Sequence, residues 1–115
     1  MSKRNIILIV DDMEVNRIIL HSIFEKEYTM LEAENGEQAM VLVNQYHDRL
    51  AAILLDIIMP IKDGYQVLTE LGSRGFLIEF PVVVITAENS AENEVKVFEL
   101  GASDIIVKPF EPHVF

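Results

Sequence analysis

Residues 51–60 read Ala-Ala-Ile-Leu-Leu-Asp-Ile-Ile-Met-Pro, an apolar run that delivers a single carboxylate, Asp56, before a proline ends it. An almost wholly apolar run of this length fits a strand covered on both faces, as in a parallel sheet with helices packed on each side. The same construction recurs elsewhere in the chain. Ile6 to Val10 leads into Asp11-Asp12, Val82 to Ile85 into Thr86, and Ile105 to Val107 into Lys108-Pro109. Tyr28 to Ala33 supplies a fifth short strand. In an open parallel sheet, ligands bind beyond the carboxyl ends of the strands, at the topological switch point. Three carboxylates, a hydroxyl and an amine gathered there form a site for a divalent cation and a phosphoryl group.

Helical patterns fill the gaps between these runs, so strands and helices alternate throughout. The first helix follows Asp12, with Val15, Ile18, Ile19, Ile23 and Phe24 as its apolar stripe. Asn35 is a predicted N-cap, and Gln38 three residues on comes close to a capping box. The second helix carries Ala39, Met40, Leu42, Val43 and Tyr46. Met59-Pro60 and Asp63-Gly64 mark a loop, and Tyr65 to Leu71 reads as a third helix that Gly72, Ser73 and Gly75 dissolve. Pro81 opens the fourth strand, Ser90 caps a fourth helix, and Gly101 stands where a left-handed C-terminal residue is expected. Phe110 to Phe115 resembles the opening of a further helix, with Pro112 in the first turn. The fold class is α/β, a doubly wound five-stranded parallel sheet whose final helix is missing or truncated.

With 115 residues the chain is expected to be one domain over 1–115, cut at the start of its last helix. No apolar stretch approaches the roughly 18 residues of a membrane span. Met1-Ser2-Lys3-Arg4 leads into too short an apolar segment for a signal peptide. The absence of cysteine excludes disulfides and thiolate metal sites and agrees with a cytoplasmic location. A formal net charge of −10 argues against direct nucleic-acid binding.

Asp11 and Asp12 alone are equally well explained as acidic residues at a helix N-terminus. Asp56 is harder to explain structurally, because a carboxylate at the end of an apolar strand is costly unless paired or metal-bound. Three neighbouring carboxylates repel one another and raise a pKa unless a cation is present. Mg2+ suits such a set: it takes oxygen ligands and is typically held by one or two carboxylates plus phosphate.

The motifs ILIVDD at 7–12, LLDIIMP at 54–60 with Asp63-Gly64, VVVITA at 82–87 and GASDIIVKPF at 101–110 together resemble the receiver domain of two-component response regulators, as in the bacterial chemotaxis regulator. The resemblance covers essentially the whole chain and implies a flavodoxin-like strand order 2-1-3-4-5. It also implies that Asp56 is the phosphoacceptor, taking its phosphoryl group from a histidine kinase or a histidine phosphotransfer domain. Asp12 and Asp56 would bind Mg2+ directly, Asp11 largely through water, and the Ile58 carbonyl would complete the protein ligands. Lys108 and Thr86 would contact phosphoryl oxygens, and the small Ala87 would leave the approach to Asp56 open. Such a protein catalyses only its own phosphorylation and dephosphorylation, and switches an effector domain or partner protein. Two features depart from the pattern. Ile105 occupies the position where the family usually has Tyr or Phe, and the last helix stops at its first residues. The sheet is then expected to be under-covered on the side of the first helix, the strip being met by a homodimer or by residues that continue the chain.

Other readings are weaker. A magnesium-dependent phosphohydrolase of the haloacid dehalogenase type would have a second acid where Ile58 stands. A flavodoxin-like cofactor carrier would have a glycine- or hydroxyl-rich loop where Asp11-Asp12-Met13-Glu14 stands. A degenerate receiver used only for docking would not need the acid set, Thr86 and Lys108. His21, His47 and His113 have no metal-ligand spacing and read as ordinary surface or half-buried histidines, and Glu92, Glu94 and Glu99 as a solvated face. Asp11-Asp12 followed by Asn16-Arg17 looks more like receivers of hybrid kinases or cyclic-dinucleotide regulators than those of winged-helix transcription factors.

Overall fold

The computed structural model describes residues 3–87 and 90–108. Five strands, β1 (Ile6–Val10), β2 (Thr29–Ala33), β3 (Leu50–Asp56), β4 (Val82–Thr86) and β5 (Asp104–Val107), alternate with four α-helices. These are α1 (Glu14–Phe24), α2 (Gly36–Tyr46), α3 (Gly64–Ser73) and α4 (Ala91–Glu99). All neighbouring strands are parallel, in the order β2-β1-β3-β4-β5. The chain therefore reverses its winding between β1 and β3, and the expected doubly wound sheet is present.

Alternation along each strand divides the interior into two cores. Leu8 and Val10 of β1, Ile53 and Leu55 of β3, and Val82 and Val84 of β4 meet α2, α3 and α4 in the larger one. Ile7, Ile9, Leu54 and Ile85 face the opposite side, where Leu20, Ile23 and Phe24 of α1 cover them. The stripe expected on α1 is corrected in part. Val15 and Ile18 are 54% and 57% exposed, whereas Arg17 and Leu20 are buried. At 3.6 residues per turn the inward line runs through 17, 20 and 24, and positions 15 and 18 fall on its outer flank.

The caps form largely as expected. Asn35 Oδ1 accepts from Gln38 N at 2.9 Å, and Gln38 Oε1 accepts from Glu34 N at 2.8 Å. Ser90 accepts from Asn93 N, and Gly101 adopts φ 106°. The third helix is longer than its reading. Asp63 and Gln66 make a reciprocal capping box, so the helix begins at Gly64, and Gly72 lies within it. The expectations for His113 and the truncated helix at 110–115 lie outside the described residues.

Candidate functional site

β1, β3, β4 and β5 end in that order along the carboxyl edge of the sheet, and the residues that follow β1 and β5 meet the last residue of β3 there. Asp11, Asp12 and Asp56 each offer a carboxylate oxygen, and these atoms all lie within 4.8 Å of one another. Asp11 and Asp56 are buried, whereas Asp12 is exposed. Lys108 Nζ lies 3.1 Å from Asp11 Oδ2 and 3.4 Å from Asp56 Oδ2, bridging the two. Thr86 is fully buried at the end of β4, and its carbonyl accepts from Lys108 N at 2.7 Å, which anchors the lysine to the neighbouring strand. The five residues singled out at strand ends thus lie along one edge. Ile58 lies beyond them, its side chain 58% exposed.

The loop carrying Asp11 is tied down from several directions. Its N–H donates to the Ala33 carbonyl at 3.1 Å, its Oδ1 accepts from Met13 N at 2.9 Å, and its carbonyl accepts from Arg17 Nη1 at 2.8 Å. On the other side of the pocket, Gly64 N donates to the Ile57 carbonyl at 2.8 Å. A Cβ at Gly64 would sit 2.4 Å from the Asp56 carbonyl oxygen, so only glycine permits this approach to the strand end.

Electrostatically the pocket is short of positive charge. Burial pushes the Asp56 carboxyl up to about 6, and the neighbouring Asp11 charge adds to the rise, with Lys108 opposing both. Three ionised carboxylates facing one ammonium leave two negative charges unmatched. A divalent cation would match that deficit, and hard carboxylate oxygens are the donors that Mg2+ takes.

The two histidines among the described residues each lie against a glutamate. His21 Nδ1 lies 2.9 Å from Glu32 Oε2, and His47 Nδ1 lies 2.9 Å from Glu79 Oε1. Ile105 is half-buried on the α4 side of β5, packed against the larger core. Arg17 is the site neighbour that sequence reasoning missed. Its type signals a solvated helix face, and only the partnership with Glu32 and Asp11 reveals that it turns inward.

A family model for the response regulator receiver domain matches residues 7–115. Over 109 residues, 94% of this chain, the sequence is 41% identical to the transcriptional regulatory protein SrrA of Staphylococcus aureus. The chain spans 43% of that relative's length. Its fold is similar to a chain of the CheX-CheY-BeF3-Mg2+ complex from Borrelia burgdorferi, with a TM-score of 0.88 and 27% identity, covering 96% of this chain and 82% of that one. It is also similar to the signal receiver domain of a signal transduction histidine kinase from Syntrophus aciditrophicus, with a TM-score of 0.82, 31% identity, and 96% and 83% of the two chains covered. The relatives thus carry both transcription-regulator and kinase-receiver names.

Proposed function

Because the chain belongs to the response regulator receiver domain family, we propose that Asp56 is its phosphoacceptor, charged by a phosphohistidine on a histidine kinase or phosphotransfer domain. The observation that carries this is the convergence of three carboxylates on one lysine at the carboxyl edge of the sheet. Asp11, Asp12 and Asp56, with the Ile58 carbonyl, are the groups that would hold Mg2+. When bound, the cation supplies charge neutralisation for the phosphoryl oxygens.

The chain's own groups do the rest. An Asp56 oxygen attacks phosphorus, the P–O bond forms as the P–N bond to the donor imidazole breaks, and the electron pair leaves on that nitrogen. Lys108, already 3.4 Å from Asp56, pairs with a phosphoryl oxygen, and the Thr86 hydroxyl donates to another. Alignment and electrostatics carry most of such a transfer, since its transition state spreads charge over the equatorial oxygens. The domain transforms only itself: a phosphohydrolase of the haloacid dehalogenase type would have a second acid at 58, where an isoleucine stands. Phosphorylation then switches an effector domain or partner protein. Among the described residues no helix is long and apolar enough to cross a membrane, which agrees with signalling in the cytoplasm.

Adding Mg2+ and beryllofluoride, an acyl-phosphate mimic, tests the site without a kinase. Amide resonances around Asp56, Thr86 and Lys108 should shift together, and the shifts should vanish in Asp56→Asn. Unshifted resonances at Asp56 and Lys108 would overturn the proposal.

A further inference from the structure

Arg17 is the one buried basic side chain among the described residues, 8% exposed within α1. Its guanidinium makes two hydrogen bonds and an ion pair, to the residue after β1, to β2 and to the residue after β2. Nη1 donates to the Asp11 carbonyl at 2.8 Å, Nε donates to Glu32 Oε1 of β2 at 3.1 Å, and Nη2 lies 3.6 Å from Glu34 Oε1 beyond β2. The Asp11 N–H is bound to the Ala33 carbonyl. Both peptide groups flanking Asp11 are therefore held, one by β2 and the other by Arg17.

We infer that Arg17 is a positioning residue for the cation site, acting through the peptide that joins Asp11 to Asp12. That peptide carries one carboxylate on each side, so fixing its plane sets where both can point. With Asp11 Oδ1 engaged by Met13 N, the held geometry turns Oδ2 to Lys108 at 3.1 Å. Arg17 touches neither the cation nor the phosphoryl group. Its charge is already matched by Glu32 and Glu34, so its contribution is orientation. A planar fork can reach the three acceptors at once, whereas a lysine has a single nitrogen to offer them. The inference rests on reading the acidic pocket as a cation site.

The test is Mg2+ affinity, measured by titration of backbone resonances near Asp56 in wild type, Arg17→Lys, Arg17→Gln and Glu34→Gln. Each variant is first checked for folded structure and for its cation-free melting temperature. Removing an outer partner of a metal ligand typically weakens binding by about 10–100-fold. Both Arg17 variants should show about tenfold weaker binding while folded, and Glu34→Gln should bind as wild type does. Should Arg17→Gln fail to fold, Arg17→Lys decides alone. Arg17→Lys binding Mg2+ as tightly as wild type would overturn the inference, even with a lowered melting temperature, because a purely structural role predicts that pattern. Wild type lacking saturable Mg2+ binding would instead overturn the reading of the pocket itself.

Discussion

Asp56 is buried at the end of β3 with its carboxyl raised from 3.8 to about 6, and the sign of that shift has a consequence for stability. A carboxyl whose pKa is higher in the folded state favours folding most below pH 3.8, and that advantage is lost as pH rises through 6. Without a cation, the native domain at pH 7 therefore carries an ionised Asp56 at a cost of about 2–3 kcal/mol, at ~1.4 kcal/mol per pKa unit. Asp56→Asn should be more stable than wild type at pH 7 by up to that amount, with the gap closing toward pH 4. Urea melts across this range, in chelator, check it; a gap that widens on acidification would contradict the assigned burial cost. Ile58, exposed two residues beyond the acceptor, is predicted to obstruct an attacking water. Phosphate loss from Ile58→Asn should be faster than from wild type, and an equal or slower loss would refute the steric role. At this scale Asp11, Asp12, Asp56, Thr86 and Lys108 were legible because each ends an apolar run, where a polar group needs a reason. Arg17 was not, since nothing local distinguishes an inward arginine from a solvated one.

The connection from β3 to α3 shows how elements impose the pocket. Ile61 has φ 68°, within a three-residue turn closed by Lys62 N donating to the Pro60 carbonyl at 2.7 Å. A β-branched residue in the left-handed region is strained by about 1–2 kcal/mol. Ile61→Gly should relieve this strain, and net of the glycine's larger unfolded-state entropy the variant should be at least as stable as wild type. A clear loss of stability in thermal melts would show that the turn is not strained. Gly64 is the opposite case. A methyl there meets the Asp56 carbonyl oxygen and Ile57 Cα, and such overpacking costs about 1–3 kcal/mol. Gly64→Ala should lower the denaturation midpoint and reduce phosphorylation together, because relief requires the end of β3 to move. Unchanged phosphorylation in a destabilised variant would mean that the clash is absorbed elsewhere. Asp63-Gly64 signalled a loop in sequence because the pair suits a turn as well as it suits a cap and first helical residue. The reciprocal bonds, Gln66 N donating to Asp63 Oδ1 and Asp63 N donating to Gln66 Oε1, separate the two. Likewise, Val15 and Ile18 lie at spacings that fit an apolar stripe on either flank of α1, and burial of Arg17 decides which flank turns inward.

Across the whole molecule, the strand order places β1, β3, β4 and β5 consecutively, so four chain segments far apart in sequence end at one edge. This much was legible because alternation of buried strands with amphipathic helices admits few topologies, and the motif resemblance selected one order among them. Composition alone carried none of this, since 19 acidic residues and a net charge of −10 do not say which three converge; their positions at the ends of apolar runs did. The central claim is that one of those acids, Asp56, accepts a phosphoryl group in a cation-dependent reaction. Intact-mass measurement after incubation with acetyl phosphate and Mg2+ tests it directly. The account predicts one labile phosphoryl group on wild type, and none on Asp56→Asn or on wild type in excess chelator. Full labelling of Asp56→Asn, or of wild type without a divalent cation, would contradict it.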